Sequence, residues 1–307
     1  MSIAGWIMGK GPNGFGFRST AEQVCEGLDL SGKTFLLTGC NSGLGQETMR
    51  VLSARGGHII ALARTVEKAE QAIAQAGASG TPLACELSEP QMVQKCVEEV
   101  KALGKPLDVI LCNAGIMALP ELQQKYGLEL QFLTNHIGHF ILVTGLLDTL
   151  HEQGRVVMVS SAAHRMTYRE GIDLDNLSGE KGYVPWRAYG QSKLANLLFT
   201  KQLSVRLSAT LQTANALHPG VIRTNLGRHM SPAMRFGLVL CTPIFLKTIP
   251  EGAATQVYLA AHPRAADFSG RYYSNCNPAR PSEHGEDYIL AQRLWEKSEQ
   301  IVKRLLA

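Results

Sequence analysis

The sequence predicts a single α/β domain, a doubly wound parallel sheet with helices on both faces. Short apolar segments alternate with segments of helical period along most of the 307 residues. This order is typical of parallel strands joined by right-handed crossovers. A glycine-rich turn at residues 38–45 lies directly between the first such strand and the first helix. We therefore expect residues 31–307 to form one domain, preceded by an N-terminal extension at residues 1–30.

The alternating segments define the predicted elements in order. The apolar runs predicted to form strands are residues 34–37, 58–63, 82–86, 109–112, 155–160, 213–217 and 271–273. The segments predicted to form helices are residues 45–55, 66–76, 90–103, 127–150, 188–207, 252–261 and 287–305. A further short helix is expected at residues 20–26, within the N-terminal extension.

Composition argues against several classes of function. A hydrophobic content of 45% and a charged content of 18% are ordinary for a soluble enzyme. A net charge of +4 without a basic, aromatic-rich run argues against a nucleic-acid partner. The seven cysteines contain no Cys-x-x-Cys pair, which favours reduced thiols in a cytoplasmic protein over disulfides or a metal site. We expect no secretory signal in residues 1–10 and no transmembrane span, because the apolar stretch 236–249 is short and contains Pro243 and Lys247.

The glycine-rich turn has the form Thr-Gly-x-x-x-Gly-x-Gly. Its glycines let backbone N–H groups approach a pyrophosphate at the positive end of the following helix, so the turn predicts a Rossmann-type dinucleotide site. The candidate contacts are Gly39, Asn41, Ser42, Gly43, Leu44 and Gly45. The alternative is a glycine-rich turn that binds no ligand.

The second predicted strand is followed by Arg64, with no carboxylate beside it. Enzymes that prefer NAD usually place a carboxylate near this point to bind the ribose hydroxyls. A guanidinium instead offers several donors and a permanent charge to a 2′-phosphate. We therefore expect NADP(H) as the cofactor, with a surface arginine that contacts no ligand as the alternative.

Tyr189 and Lys193 are four residues apart in a predicted helix, so their side chains share one face. A free phenol titrates near pH ~10. A cation beside it favours the phenolate, so we expect Lys193 to lower the pKa of Tyr189 towards the range useful for general acid/base catalysis. The pair occurs by chance in many helices and gains its meaning from the glycine turn upstream.

In this order, the glycine turn and the Tyr-x-x-x-Lys pair resemble the short-chain dehydrogenase/reductase family. The segment Asn135-His136-Ile137-Gly138-His139-Phe140 further resembles its retinol-dehydrogenase-like and WW-domain-oxidoreductase-like branch. The resemblance covers residues 31–307. It implies a catalytic tetrad made of Asn135, Ser161, Tyr189 and Lys193. In the family, Asn135 would bend its helix and hold a water leading to Lys193, and Ser161 would bond the substrate oxygen.

The resemblance also implies further cofactor contacts. Those are Glu86 and Leu87 at the adenine, Asn113, Ala114 and Gly115 near the ribose, Tyr189 and Lys193, and Pro219, Gly220, Val221 and Thr224 beside the nicotinamide. Glu86 stands where the family usually has Asp, and Cys112 where it often has Asn. We expect His136 and His139 to be structural, because no carboxylate supports a metal site there. His164 receives no role.

The resulting functional prediction is an NADP(H)-dependent oxidoreductase that interconverts a carbonyl and an alcohol on a lipophilic small molecule of retinoid, steroid or polyketide type. A mostly apolar segment at about 225–250 is expected to be a lid over that substrate, with membrane-surface contact as the alternative. A homo-oligomer and a monomer both stay open, because the helix after Lys193 is apolar nearly all round. A non-catalytic NADP-sensing or interaction module on the same fold is the alternative function.

Overall fold

The central sheet has eight strands, and their order places the site. The structure is a computed structural model that describes residues 9–222 and 246–307. The strands are β1 (Thr34–Thr38), β2 (His58–Ala63), β3 (Gly80–Ala84), β4 (Leu107–Cys112), β5 (Gln124–Lys125), β6 (Leu128–Glu129), β7 (Leu150–Val159), β8 (Thr213–His218), β9 (Tyr272–Ser274) and β10 (Asn277–Pro278). The sheet order is β10-β9-β8-β7-β4-β1-β2-β3, and β5 pairs with β6 in a separate hairpin.

Within the sheet only β10 is antiparallel to its neighbour among the described strands. The chain winds outward from β1 in both directions, with β2 on one side and β4 on the other. Crossovers of opposite sense diverge at this point, so the carboxyl ends of β1 and β4 border a crevice, which is where open α/β sheets bind their ligands. The predicted doubly wound parallel sheet is confirmed.

Helices cover both faces of the sheet. They are α1 (Ala21–Val24), α2 (Gly43–Ala54), α3 (Val66–Ala76), α4 (Pro90–Ala102), α5 (Leu130–Phe132), α6 (Gly138–Leu146), α7 (Pro185–Arg206), α8 (Ile249–Ala261), α9 (Glu283–Glu286) and α10 (Tyr288–Leu306). A π-helical turn, Leu133–Ile137, joins α5 to α6, and short 3₁₀ turns occupy Leu147–Thr149, Ala162–Arg165 and Pro263–Ala265.

The strands are apolar at nearly every position because both faces are buried. Side chains alternate between faces along a strand, so Leu36 of β1 joins the core beneath α4, α6, α7 and α10, whereas Leu37 joins the core beneath α1, α2 and α8. Ala21 and Val24 of α1 belong to this second core. The boundary that we expect at residue 30 stays a prediction.

Several predicted elements differ in their bounds from the structure, and two of these differences have a clear local cause. The helix expected at residues 127–150 begins only at Leu130, because a hairpin of β5 and β6 turns at Tyr126 and Gly127, both with positive φ (54° and 72°). At its other end, Leu150 already belongs to β7. The helix expected at 252–261 begins earlier, at Ile249, because Thr248 and Glu251 form a reciprocal capping box.

The helix α7 is buried inside the protein along most of its length. Trp295 of α10 stacks on Phe199 of α7 with ring centroids 5.4 Å apart and an interplanar angle of 3°. The apolar surface of α7 is thus covered by α10 and the sheet, as expected of a core helix, and the oligomeric state stays a prediction. One stretch, Leu130–Thr149, is long and apolar enough to cross a membrane, but 78% of it is buried inside the protein.

Candidate active site

The glycine turn after β1 has a shape that side chains would prevent. Gly39 has φ +69°, and a Cβ there would lie 2.9 Å from Cα of Ala114. A Cβ on Gly45 would lie 2.1 Å from the carbonyl oxygen of Gly39. At Gly43, with φ +52°, a Cβ would meet no described heavy atom within 4 Å, so the turn opens outward there. The glycines therefore let β1 pass into α2 with the backbone of the turn accessible.

The first turn of α2 is available to an anion. Ser42 occupies the N-cap position, yet among the described residues its side chain accepts no capping hydrogen bond. The N–H groups of the first helical turn point along the helix axis with the positive end of the dipole. Asn41 and Ser42 are exposed and Leu44 is half-buried. This arrangement suits a phosphate group.

Thr38, at the end of β1, ties the glycine turn to the turn after β4. Its hydroxyl oxygen accepts the N–H groups of Asn113 (2.9 Å) and Ala114 (3.0 Å). The Thr38 hydrogen is therefore left to donate to Nε2 of His139, 2.9 Å away. Nδ1–H of His139 then donates to the carbonyl oxygen of Asn135 at 2.9 Å. Sequence reasoning missed Thr38. Both ring nitrogens of His139 have partners, and its structural role stays a prediction.

Asn135 lies in the π-helical turn, which is the local helix distortion expected there. Its Oδ1 accepts the N–H of Ile116 (2.8 Å), and its Nδ2 donates to the Ile116 carbonyl and to Oγ of Ser192, both at 2.9 Å. A Cβ on Gly115 would lie 3.0 Å from Oδ1 of Asn135 and 3.3 Å from Nζ of Lys193. Asn135 thus holds the loop after β4 against α7, beside the lysine.

Tyr189 and Lys193 share the buried face of α7. Nζ of Lys193 donates to the carbonyl of Val159 at the end of β7 (3.0 Å) and lies 5.9 Å from the centre of the Tyr189 ring. The Ser161 hydroxyl lies near enough to the Tyr189 phenol to lower its pKa. Its oxygen also accepts the N–H of Ala163 at 3.2 Å. The structure brings all four residues of the predicted tetrad to the same edge of the sheet.

The expected pKa shift of Tyr189 has the opposite sign. Burial raises the pKa of Tyr189 to about 12, and the hydrogen bond from Ser161 opposes this rise. Burial also lowers the pKa of Lys193 to about 8. Loss of water around the phenolate sets the direction of the shift, and the Lys193 ammonium is instead bonded to the Val159 carbonyl. The phenol is therefore protonated at neutral pH.

The residues expected to contact the adenine end of the cofactor lie just beyond β2 and β3. Arg64 is exposed just beyond β2, and the neighbouring strand end carries Glu86, whose carboxylate accepts the N–H (3.2 Å) and hydroxyl (2.9 Å) of Ser88. Leu87 is buried, and its carbonyl oxygen would lie 2.4 Å from a Cβ on Gly138. These residues are neighbours in space, as the cofactor assignment requires.

The turn after β8 contains Pro219, Gly220 and Val221, and it rests on a lysine that sequence reasoning missed. Gly220 has φ +97°, and a Cβ there would lie 2.6 Å from Cδ of Lys247. Lys247 is fully buried, and burial lowers its pKa to about 8. No local pattern marks it, because its contacts come from distant parts of the chain. Thr224 and most of the expected lid, residues 223–245, lie outside the described residues.

Comparison with known proteins places this site in a family. The model of the short chain dehydrogenase family matches residues 33–173. Short-chain dehydrogenase TIC 32 A, chloroplastic, from Brassica napus is 40% identical over 99% of this chain and 100% of its own length. Human retinol dehydrogenase 13 is 39% identical over 89% of this chain and 85% of its own. The solved structure of an angucycline C-6 ketoreductase with bound NADP superposes with a TM-score of 0.65 at 23% identity, covering 80% of this chain and 94% of that one.

The predicted cytoplasmic location is contradicted by these comparisons, because the relative that matches almost the whole chain is chloroplastic. Scattered, unpaired cysteines indicate a reducing compartment, and the cytoplasm is only one such compartment. The predicted family, by contrast, is confirmed by the family model and by both relatives. The chain belongs to the short-chain dehydrogenase family and is an oxidoreductase.

Proposed function

We propose that the protein is an NADP(H)-dependent oxidoreductase that interconverts a carbonyl and an alcohol on a lipophilic small molecule. The observation that carries the proposal is the placement of Tyr189 and Lys193 on one face of α7, with Nζ of Lys193 5.9 Å from the Tyr189 ring and Ser161 close to the phenol. Together these groups offer a proton, a hydrogen bond and a positive charge to one oxygen atom. This is the set that reduction of a carbonyl needs from the protein.

The residues present fit a dinucleotide phosphate. The open face at Gly43 and the uncapped first turn of α2 suit the pyrophosphate. Arg64, exposed at the end of β2, suits a 2′-phosphate. The ketoreductase with the same fold has NADP bound, which supports the choice of NADP(H) over NAD(H). Asn113, Lys193 and Gly220 lie along the crevice between this phosphate site and Tyr189, where the ribose and nicotinamide would be held.

When bound, NADPH supplies the hydride to the carbonyl carbon. Tyr189 donates its phenolic proton to the carbonyl oxygen, and the raised pKa of Tyr189 keeps that proton in place at neutral pH. The Ser161 oxygen accepts a bond from Ala163, and its hydrogen, which is directed to the phenol, would be shared with the developing alkoxide when substrate is bound. Alcohol oxidation needs the deprotonated phenol instead, so its rate should rise with pH.

Exposed apolar side chains around Tyr189 support a lipophilic substrate. The Trp186 ring lies edge-on to the Tyr189 ring, with centroids 6.1 Å apart, and Trp186 is 42% exposed. Met166 and Val184 are also exposed, and both lie beside the start of α7. Apolar walls with a few polar groups are typical of sites for apolar ligands. A relative named as a retinol dehydrogenase is consistent with this class.

The proposal is tested by activity profiling of the purified protein. NADPH and NADH are each supplied with retinoid, steroid, quinone and aliphatic carbonyl compounds, and cofactor oxidation is followed by absorbance. We expect turnover with NADPH on at least one apolar class, and faster alcohol oxidation by NADP⁺ at pH 9 than at pH 7. Binding of NADPH, seen by its fluorescence, without turnover on any class would instead support the non-catalytic module.

A further inference from the structure

His164 lies directly behind the serine of the active site, in the 3₁₀ turn that follows β7. Its side chain is fully buried, with the edge of the Tyr272 ring against it at a centroid distance of 5.1 Å. Both ring nitrogens have partners. Nδ1 is 2.5 Å from the carbonyl oxygen of Ser161, and Nε2 is 3.0 Å from the backbone nitrogen of Ser282. The imidazole therefore bridges Ser161 to a segment more than 100 residues later.

The partners fix the tautomer of His164. The Ser282 backbone nitrogen can only donate, so Nε2 of His164 carries no hydrogen and accepts. Nδ1 then holds the single proton and donates it to the Ser161 carbonyl. Burial lowers the pKa of His164, and the charge of the neighbouring Arg165 acts in the same direction. The ring is thus neutral at physiological pH and can make both bonds at once.

The turn that carries Ser161 is held on two further sides. The N–H of Ala162 donates to Nδ1 of His218 at 3.2 Å. The carbonyl oxygens of Ala163 and Met166 approach Gly190 of α7 so closely that a Cβ there would lie 2.6 Å and 2.3 Å from them. These contacts fix the distance between the turn and α7. The Ser161 carbonyl accepts two bonds from His164, one from Nδ1 and one from the backbone N–H at 3.1 Å. The imidazole bond is the one that continues to Ser282, so it joins the turn that carries Ser161 to the C-terminal part of the chain.

We propose that His164 is a positioning residue for catalysis, which aims the Ser161 hydroxyl at the oxygen shared by Tyr189 and the substrate. This inference rests on the proposed function, in which Ser161 and Tyr189 carry the acid–base step. The nearby Ser161 hydroxyl lowers the pKa of Tyr189, so His164 acts on the phenol through the serine. Ser282, through His164, ties the C-terminal part of the chain to the catalytic groups.

Several titratable or charged groups face this bridge. Arg165 lies beside His164 on its own turn, and its guanidinium donates to the carbonyl of Arg280 at 2.5 Å. His218 faces it from the end of β8, and both burial and nearby positive charge lower the pKa of His218 to about 4. The Tyr272 phenol faces it from β9. Protonation of His164 removes the acceptor of the Ser282 N–H, and protonation of His218 removes the acceptor of the Ala162 N–H, so these two bonds require neutral rings.

A double-mutant cycle tests the proposal, with His164→Leu, Ser161→Ala and the two combined. Misplacement of a catalytic group by about 1 Å can cost ~100-fold in rate, so we expect His164→Leu to lower kcat by roughly 10–100-fold when Ser161 is present. The same change should have little effect in the Ser161→Ala background. Equal losses in both backgrounds would overturn the role of His164. An unchanged kcat in Ser161→Ala alone would overturn the proposed function.

Two further variants keep the test decisive if His164→Leu folds poorly. His164→Asn keeps an N–H near the position of Nδ1, so it should retain most turnover, whereas His164→Gln reaches outward towards Ser282 and should behave like His164→Leu. Equal turnover in the Asn and Gln variants would contradict the proposal. The control is His58→Leu, which removes a half-buried histidine bonded to Thr81 (3.0 Å) away from the site, and should leave kcat unchanged.

The pH profile separates positioning from a general loss of stability. If Ser161 is no longer aimed at the phenol, the pKa that governs alcohol oxidation should move upward in His164→Leu, while NADPH affinity measured by fluorescence stays the same. A variant that merely lowers the melting temperature would lose activity without moving that pKa. An unmoved pKa together with a lowered kcat would therefore count against the proposal.

Discussion

Tyr189 and Lys193 are buried, whereas Asn41, Ser42 and Arg64, which we assign to the cofactor phosphates, are exposed. The acid–base end of the site (Asn135, Ser161, Tyr189 and Lys193) is held by hydrogen bonds that span the chain. The phosphate end (residues 39–45 and Arg64) is shaped by backbone geometry and by one permanent charge. The two ends lie in the same crevice but depend on different physical effects.

The difference matters because burial raises the free energy of a charged side chain. At the acid–base end, loss of water raises the pKa of Tyr189 and lowers that of Lys193, so both groups are driven towards neutrality. At the phosphate end, Arg64 stays in water and keeps its charge. Substitutions at the first end should therefore act mainly on turnover, and substitutions at the second mainly on cofactor affinity.

The largest expected effect is that of Tyr189→Phe. It removes the proton donor and keeps the ring, so kcat should fall by roughly 10²–10⁴-fold while NADPH affinity changes little. Steady-state rates and a fluorescence titration of NADPH measure the two quantities. Tyr273→Phe is the control, because Tyr273 is also buried but belongs to the core on the other face of the sheet. Turnover near the wild-type value in Tyr189→Phe would remove Tyr189 from the mechanism.

The next largest effect is expected at the phosphate end, from Gly45→Ala. The added Cβ would lie 2.1 Å from the Gly39 carbonyl oxygen and 2.7 Å from Nδ2 of Asn113, so the turn must move. We expect NADPH affinity to fall by roughly 100-fold, with an overpacking cost of about 1–3 kcal/mol in the free energy of unfolding. Calorimetric titration and urea denaturation measure these changes.

Gly77→Ala is the matched control for Gly45→Ala. Gly77 caps α3 in the left-handed region (φ 59°), and a Cβ there meets no described heavy atom within 4 Å. It should cost about 1 kcal/mol of stability through backbone strain alone and leave NADPH affinity intact. If both variants bound NADPH equally well, the close packing of the glycine turn would not matter for the cofactor.

The features that could be predicted from the sequence are those that depend on local spacing, and the features that could not be predicted depend on contacts between distant residues. The glycine turn, Arg64 and the Tyr189–Lys193 pair depend on local spacing, and local spacing is visible in a sequence. The doubly wound parallel sheet also followed from alternating apolar segments. The bonds from Thr38 to His139 and from His164 to Ser282 join residues 101 and 118 positions apart, so no local pattern could indicate them.

The pKa of Tyr189 shows why the spacing of Tyr189 and Lys193 can indicate the right neighbours and still predict the wrong direction of the pKa shift. The i, i+4 spacing placed a cation near the phenol, but the ammonium of Lys193 bonds to the Val159 carbonyl. The degree of burial, which decides the sign of the shift, comes from the packing of α7 against the sheet. Similarly, the hairpin before α5 depends on a positive φ at Tyr126, and a tyrosine in the sequence does not indicate that backbone conformation.

A smaller, selective effect is expected from Arg64→Asp. A charge-assisted contact with a 2′-phosphate contributes about 1.5–3 kcal/mol, which corresponds to a roughly ten- to hundredfold preference for NADPH over NADH. The substitution should remove that preference and let NADH bind at least as well as before, with kcat nearly unchanged at saturation. Titration of both cofactors against both proteins measures it. If the wild-type protein bound NADH as tightly as NADPH, Arg64 would have no part in cofactor choice.

The smallest expected effect is a loss of folding stability at low pH. It should arise from the buried histidines near the acid–base end and not from the phosphate end. Burial lowers the pKa of His136 to about 3 and that of His139 to about 4. The phosphate end, residues 39–45 and Arg64, contains no histidine. Because an unfolded histidine titrates near ~6.5, the unfolded chain takes up protons that the native core refuses. The stability that these neutral histidines contribute is complete above about pH 6.5 and is lost as pH falls towards 4.

Urea denaturation at pH 7, 6 and 5 should show a loss on the order of 1 kcal/mol per buried histidine. His136→Gln should flatten this dependence and His151→Gln, in the half-buried part of β7 outside the core, should not. A pH dependence that is the same in both variants would mean that the buried histidines do not set the acid limit of the fold.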